Sequence, residues 1–389
     1  MPTAVIVDIV RTASGRGKPG GQLSGFHPVD LLATVIRGLV DRSDLDPALV
    51  DDVIGGCLSQ VGEQAVNITR NAVLAAGFPE SVPGTTVDRQ CGSSQQATAF
   101  AAQGVIAGAY DIVIACGVEL MSKNPINSAT LGKDNWGPMI AARYPGGLVG
   151  QGISAELIAA RWRLSREVLD EYALRSHRLA AAADFSSEIL AVGDKHGEHL
   201  TVDETIRPAT TAEGLAALSP VFYDEELAKR FPEIHWSITA GNSSPLTDGA
   251  SAALIMSETK AIELGLRPRA RFHSFSVTGS DPIEMLTGVI PATQKILERS
   301  GLGIGDIDTF EVNEAFASVP IAWQQEFAVN PELVNPRGGA IALGHALGSS
   351  GTRLLATMLS QLELSGGRYG LQVMCEGAGM ANATIIERL

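Results

Sequence analysis

Thr85-Thr86-Val87-Asp88-Arg89-Gln90-Cys91-Gly92-Ser93-Ser94-Gln95-Gln96 decides how the rest of the chain is read. A short β-prone run ends in Gln-Cys-Gly-Ser-Ser, and an alanine-rich, helix-prone run over about 95–107 follows at once. Cys91 is therefore expected at a strand-to-helix turn, where unpaired backbone N–H groups and the helix dipole favour a thiolate. Gly92, Ser93 and Ser94 let another backbone or a ligand come close and offer N-capping hydroxyls. The alternative reading is a buried structural cysteine, because free Cys is among the most buried residue types.

Upstream, residues 4–8 (Ala-Val-Ile-Val-Asp) read as a buried strand and 30–40 as a helix with apolar positions at helical spacing. Val53-Ile54 is a second strand ending in Gly55-Gly56, and 67–76 is a helix stopped by Gly77 and Pro79. Downstream lies the strongly apolar strand 111–116, Asp-Ile-Val-Ile-Ala-Cys. Strands alternating with helices imply an α/β fold with a largely parallel sheet covered on both faces.

The pattern returns beyond Asp248-Gly249 as a second copy. Gly92-Ser93-Ser94 recurs as Gly348-Ser349-Ser350, and Tyr110-x5-Cys116 as Tyr369-x5-Cys375. Ala33-Thr34 with Val50-Asp51 corresponds to Ala292-Thr293 with Ile307-Asp308. Three matches in one order imply duplicated βα units packed as two similar halves, which would bring the Cys91 turn near the turns of the second copy. Between the copies, 121–152 is rich in Gly, Pro, Asn and Lys and reads as loop. Amphipathic helices follow over 156–162 and 166–183, carrying Arg161, Arg163, Arg166, Arg175 and Arg178, a run that fits a solvated face. The expected division is an N-terminal half over 1–117, completed by about 243–265, an inserted loop region over 118–242, and a C-terminal half over 266–389.

The chain has 389 residues, 42 of them glycine and 19 proline, enough for more than one core and many tight connections. Its formal charge of −14 argues against nucleic acid or an anionic membrane as the main partner. Cys57, Cys91, Cys116 and Cys375 form no C-x-x-C pair, so neither a disulfide framework nor a zinc site is suggested, and no metal is expected. With no signal-peptide pattern at the start and no long apolar run, a cytoplasmic location is expected.

In the second copy, 308–316 runs from a short strand into Asn313-Glu314-Ala315-Phe316, and 335–351 packs five glycines around His345. Glycine at that density implies tight turns and close backbone approach. A lone histidine is usually a packing residue, but that setting points to proton transfer. Cys375 ends an apolar strand beside Gly377 and Gly379, where sheets of this kind bind ligands. Cys116, its counterpart, lacks the Gly-x-Gly.

Together these blocks resemble the thiolase family, the acyl-CoA C-acyltransferases, over essentially the whole chain. The resemblance rests on Asp88-x-Gln90-Cys91-Gly92-Ser93-Ser94, Asn313-Glu314-Ala315-Phe316, residues 338–345, Cys375-x-Gly377-x-Gly379, and Thr239-Ala240-Gly241-Asn242-Ser243-Ser244 with Asp248-Gly249-Ala250. It implies a five-layered αβαβα arrangement of duplicated βαβαβ halves with an inserted loop domain. It also implies a ping-pong mechanism in which His345 takes the Cys91 proton, Cys91 attacks the keto carbon of a 3-ketoacyl-CoA and Cys375 protonates the acetyl-CoA carbanion. His345 with a water on Asn313 would form one oxyanion site, and the N–H groups of Cys91 and Gly377 the other. Arg207 would lie beside the CoA nucleotide and Ser244 beside the pantetheine arm. CoA is then a substrate, no cofactor is tightly bound, and a homodimer or homotetramer is implied, with the apolar stretch 87–115 contributing to the interface.

The chain departs from the short-chain pattern in several places. A His-Met pair becomes Gly150-Gln151, a serine near the adenine becomes Gly214, a proline after the histidine becomes Ala346, and Cys-x-Gly-Gly-Gly becomes Cys375-Glu376-Gly377-Ala378-Gly379. These changes point to longer or bulkier 3-ketoacyl chains, of the sterol-side-chain type. Three alternatives stay open: a biosynthetic acetoacetyl-CoA thiolase, a decarboxylating ketoacyl synthase, and a non-catalytic acyl-CoA or lipid-binding relative. Cys375, standing where synthases generally use His or Asn, speaks against the second.

Overall fold

The computed structural model describes residues 2–193 and 197–389. Nine strands form one continuous sheet: β1 (Ala4–Arg11), β2 (Asp52–Gly56), β3 (Thr85–Val87), β4 (Ile112–Leu120), β5 (Thr247–Ser257), β6 (Ala270–Gly279), β7 (Thr309–Val312), β8 (Tyr369–Glu376) and β9 (Met380–Arg388). Their order is β7-β8-β9-β6-β1-β5-β4-β2-β3, with the short strand Gly15–Arg16 pairing β5. The main helices are α1 (Pro28–Arg42), α2 (Ile68–Ala75), α3 (Ser93–Ala107), α4 (Gln151–Arg161), α5 (Arg166–Ala182), α6 (Val289–Ser300), α7 (Ser318–Phe327) and α8 (Ser350–Ser365).

The duplication is visible in the pairing. In the first copy β2 runs parallel to β4, β4 antiparallel to β5, and β5 antiparallel to β1. In the second, β7 runs parallel to β8, β8 antiparallel to β9, and β9 antiparallel to β6. The copies meet where β1 pairs antiparallel with β6, at Val5 with Arg271 and Ile6 with Ala270. The repeated aspartates do the same job in each copy. Asp51 Oδ2 accepts from the N–H groups of Asp111 and Ile112 at 2.7 and 2.9 Å, and Asp308 Oδ2 from those of Arg368 and Tyr369 at 2.7 and 2.9 Å. Each carboxylate thus ties the start of one strand to its parallel neighbour.

The largely parallel sheet expected from the sequence is in fact mixed. Crossovers through α2 and α3 make β2, β3 and β4 parallel, but only the tight turn at 377–379 joins β8 to β9, and so short a link forces an antiparallel pair.

Period-two burial places one core on each side of the sheet. On β4, Ile112, Ile114, Cys116 and Val118 face a core shared with α1 and α2, while Val113 and Ala115 face one shared with α3 and α8. On β8 and β9, Leu371, Val373, Cys375, Ala381, Ala383 and Ile385 face a third core with α6 and α7. The layers therefore run α1/α2, first half-sheet, α3/α8, second half-sheet, α6/α7, as the resemblance implies. Some boundaries differ from the sequence reading: α4 begins at Gln151, inside the segment read as loop, and that loop also contains a short helix, Gly137–Arg143.

Small residues set the spacing of the central layer. Thr352 N–H donates to Ser94 Oγ at 3.1 Å, and a Cβ on Gly351 would lie 2.1 Å from the backbone nitrogen of Gln95. Gly351→Ala is therefore expected to lower the unfolding free energy by about 3 kcal/mol or more, because neither backbone can yield. Gly305→Ala, where an added Cβ meets nothing within 4 Å, serves as the near-neutral control; urea midpoints compare the two.

Candidate active site

The N-terminal part of the site is the expected turn. Gly92 is the N-cap of α3, so Cys91 sits just before the cap, two residues ahead of the first helical residue, Ser93. Gln90 holds a left-handed conformation (φ 51°), a strained backbone of the kind that clusters at functional sites. Electrostatics corrects the expected thiolate. Cys91 is only 2 % exposed, and burial pushes its thiol up to about 12, outweighing a Gln151 amide whose Nε2 lies 3.9 Å from Sγ. The resting sulfur is a neutral thiol and needs a base.

His345 meets that need. Its loop is fixed by Thr247 Oγ1, which accepts from His345 N–H at 2.9 Å. The preceding residue, Gly344, has φ 82°, and a Cβ there would come within 2.5 Å of the same Thr247 oxygen. Burial first, and then the Arg353 charge, lower the imidazole to about 3, so the ring is neutral at working pH and free to accept a proton. Its tautomer follows from Ser350. The Ser350 hydroxyl donates to Ala346 O at 2.8 Å, so at 2.6 Å it accepts Nδ1–H from His345. Nε2 is left as the acceptor, 3.3 Å from the Asn313 amide Nδ2. Ser350→Ala is expected to lower kcat about tenfold or more with little change in KM, because a wrong tautomer turns Nε2 from acceptor to donor. A steady-state kcat and KM comparison checks it.

The second-copy cysteine lies against the same group. Asn313 N–H donates to Val373 O at 3.0 Å, continuing the β7–β8 pairing up to the level of Cys375. The Asn313 amide hydrogen-bonds the Cys375 sulfur, and Cys375 is close enough to Cys91 for a thiolate there to push its own thiol up; burial is the larger cause of that rise. Cys91 also packs in one small cluster with Leu347 and Met374, neighbours in sequence of His345 and Cys375. Cys91, His345, Asn313 and Cys375 thus gather in one place, and Gly377 faces the Cys91 turn, where a Cβ on it would lie 3.0 Å from Gln90 Oε1. Asn313 Oδ1 is buried with no partner among the described residues.

Two predicted CoA contacts behave differently. Ser244 N–H donates to Ala315 O at 3.0 Å, which puts Ser244 beside the Asn313 loop. Arg207 is exposed on the inserted region, its N–H donating to His177 Nδ1 at 3.2 Å, and among the described residues no hydrogen bond or ion pair ties it to the cysteines. Of the cationic residues on the helices, Arg161, Arg163 and Arg178 are exposed, as a solvated face would have it, whereas Arg166 is half-buried against Asp170 and the carbonyls of Leu215 and Leu218, and Arg175 donates to those of Pro331 and Val334.

Sequence reasoning missed the residues that hold the loops. Glu119 accepts from Leu58 N–H at 2.9 Å and Gly348 N–H at 3.0 Å, tying the first copy to the histidine loop. Glu314 accepts from Tyr172, Ser176, Asn335 and the Ile341 N–H, tying α5 to the Asn313 and glycine-rich loops. Only the placement of charged residues inside apolar segments hinted at either one. Ala378, the departure from the glycine triplet, has φ 62°, a conformation glycine adopts more easily. Among the described residues no cluster of His, Cys, Asp or Glu could hold a metal, and no helix is long and apolar enough to cross a membrane.

Comparison with known proteins follows the same geometry. The family description "Thiolase, N-terminal domain" matches residues 4–259 and "Thiolase, C-terminal domain" residues 266–388. The chain is 50 % identical to the steroid 3-ketoacyl-CoA thiolase FadA6 of Mycobacterium tuberculosis, over 100 % of this chain and 95 % of that protein. It is 43 % identical to a 3-ketoacyl-CoA thiolase of Pseudoalteromonas translucida over 100 % of both. A solved structure, the Bacillus anthracis acetyl-CoA acetyltransferase, superposes with a TM-score of 0.89 at 36 % identity, covering 100 % of this chain and 99 % of that one.

Proposed function

Since the chain belongs to the thiolase family, we propose that it works as a degradative 3-ketoacyl-CoA thiolase, an acyltransferase that cleaves 3-ketoacyl-CoA with CoA to acetyl-CoA and a shortened acyl-CoA. The observation that carries the reading is the meeting of a neutral buried thiol, a neutral imidazole with an unprotonated Nε2, and a second thiol. As Cys91 Sγ attacks the keto carbon, its proton passes to Nε2. The tetrahedral oxyanion lies beside the N–H groups of Cys91 and Gly377. When C2–C3 breaks, the enolate oxygen is held by the new Nε2–H and by a water on Asn313, whose free Oδ1 suits that task. Preorganised donors of this kind are worth about 3 kcal/mol each.

Cys375 gives its proton to the acetyl-CoA carbanion and recovers one from the incoming CoA thiol. That thiolate takes the acyl group, and His345 returns the remaining proton to Cys91. Two thiols are needed because one carries the acyl group while the other moves a proton.

The preferred acyl group is a long or bulky one. Gly150-Gln151 replaces the His-Met of short-chain relatives, and FadA6, at 50 % identity, is named for steroid substrates. CoA lies along the inserted region, its pantetheine beside Ser244 and its nucleotide beside Arg207. No cofactor is tightly bound, and the enzyme acts as a cytoplasmic homodimer or homotetramer in fatty-acid β-oxidation.

The test is direct. Purified protein with CoA and a series of 3-ketoacyl-CoAs should consume the enolate absorbance and release acetyl-CoA, with kcat/KM for a bulky substrate at least about tenfold above that for acetoacetyl-CoA. Absence of turnover at every chain length sinks the proposal; a preference for acetoacetyl-CoA sinks only the substrate class.

A further inference from the structure

The residue between Cys375 and Gly377 has no part in the steps above, yet it is the oddest side chain near them. Glu376 is 0 % exposed, and neither carboxyl oxygen has a hydrogen-bond partner among the described residues. Buried carboxyls without partners are costly and rare. The side chain ends against the other copy: a Cβ on Gly92 would lie 1.8 Å from Glu376 Oε1 and 2.7 Å from its carboxyl carbon. The carboxyl therefore rests on the residue after Cys91, while the Glu376 backbone runs straight into Gly377. One side chain spans the two segments that supply the oxyanion N–H groups.

We propose that Glu376 is a positioning residue, a buried spacer between Gly92 and Gly377, which makes the N–H groups of Cys91 and Gly377 converge on one oxygen. The proposal rests on the thiolase reading and adds a part to it. It also gives Gly92 its reason, since any side chain there would displace the carboxyl.

Neutrality matters because of what surrounds the group. Asp88 and Arg89 act on it from the turn before Cys91, and both reacting thiols lie close enough to feel its charge. Burial raises Glu376 to about 9, with Arg89 opposing and Asp88 reinforcing the shift. The protonated acid leaves the thiols unaffected, whereas an ionised one pushes both up and sets negative charge beside the developing oxyanion. The sign for stability runs the same way. Because the folded value lies above the ordinary carboxylate value, the contribution of the neutral form is complete below about 4.5 and is lost as pH rises towards 9.

Wild type, Glu376→Gln and Glu376→Ala are compared in the thiolysis assay from acid to alkaline pH, with kcat and KM resolved and melting temperatures recorded. Wild-type kcat should fall as pH passes about 9. Glu376→Gln, neutral and nearly isosteric, should keep kcat within about twofold at pH 7 and lose that alkaline decline. Glu376→Ala should lose about 100-fold in kcat with KM nearly unchanged, as displaced oxyanion donors do. The spacer is overturned if Glu376→Ala keeps wild-type kcat, if Glu376→Gln loses as much as Glu376→Ala, or if the alkaline decline of Glu376→Gln matches wild type. The last criterion decides alone should the alanine variant fail to fold. Wild-type turnover in the same assay separates failure of the spacer from failure of the thiolase reading.

Discussion

Cys91→Ala is expected to lower thiolysis by about 10⁵-fold or more, the scale on which loss of a covalent nucleophile acts. The size follows from the site. Burial keeps the Cys91 sulfur a neutral thiol near neutral pH. The sulfur can react only by handing its proton to His345 as it attacks, so nothing else in the pocket replaces it. The fold should survive, because alanine fits the small cluster of Met121, Leu347, Leu354 and Met374 around the sulfur. Incubation with a 3-ketoacyl-CoA and no added CoA should leave an acyl adduct on the Cys91 peptide of wild type and none on the variant, read by mass spectrometry. A variant within tenfold of wild type would end the nucleophile assignment.

Cys375→Ser separates the two half-reactions. Serine is a far weaker acid and base than a thiol, so the step at the acetyl carbon should slow by about 10³–10⁴-fold, the usual scale for a lost acid–base group. Acylation of Cys91 by a simple acyl-CoA needs only His345 and should continue. The decisive measurement is exchange of acetyl-CoA α-protons with deuterated water. Wild type should catalyse it and the variant should not. Exchange at wild-type rate in Cys375→Ser would assign the base elsewhere.

How much of this was legible in the sequence depends on how local each signal was. Cys91 before a helix and Asp51 answered by Asp308 are spelled in neighbouring residues, and the structure puts them where the text put them. Strand direction was not, since it depends on whether a crossover helix or a three-residue turn joins two strands, and only the β8–β9 turn tips the second half. Glu119 and Glu314 went unread because their partners lie on other elements, Gly348 and Ser176 among them. The thiolate expectation failed for a related reason. A helix terminus is visible in sequence, but the burial that outweighs it is created by chain from the opposite half, Leu347 and Met374 included.

The central helix pair has a bearing on how the molecule comes into being. Helix α3 is enclosed on nearly every side, and α8 provides one of its walls. Until the ribosome has made Ser350–Ser365, the earlier helix has no mate and its apolar flank stands open for on the order of ten seconds or more at ordinary translation rates. Neither half is thus a self-sufficient folding unit, and the chain must rely on late, long-range closure, the slow and aggregation-prone route.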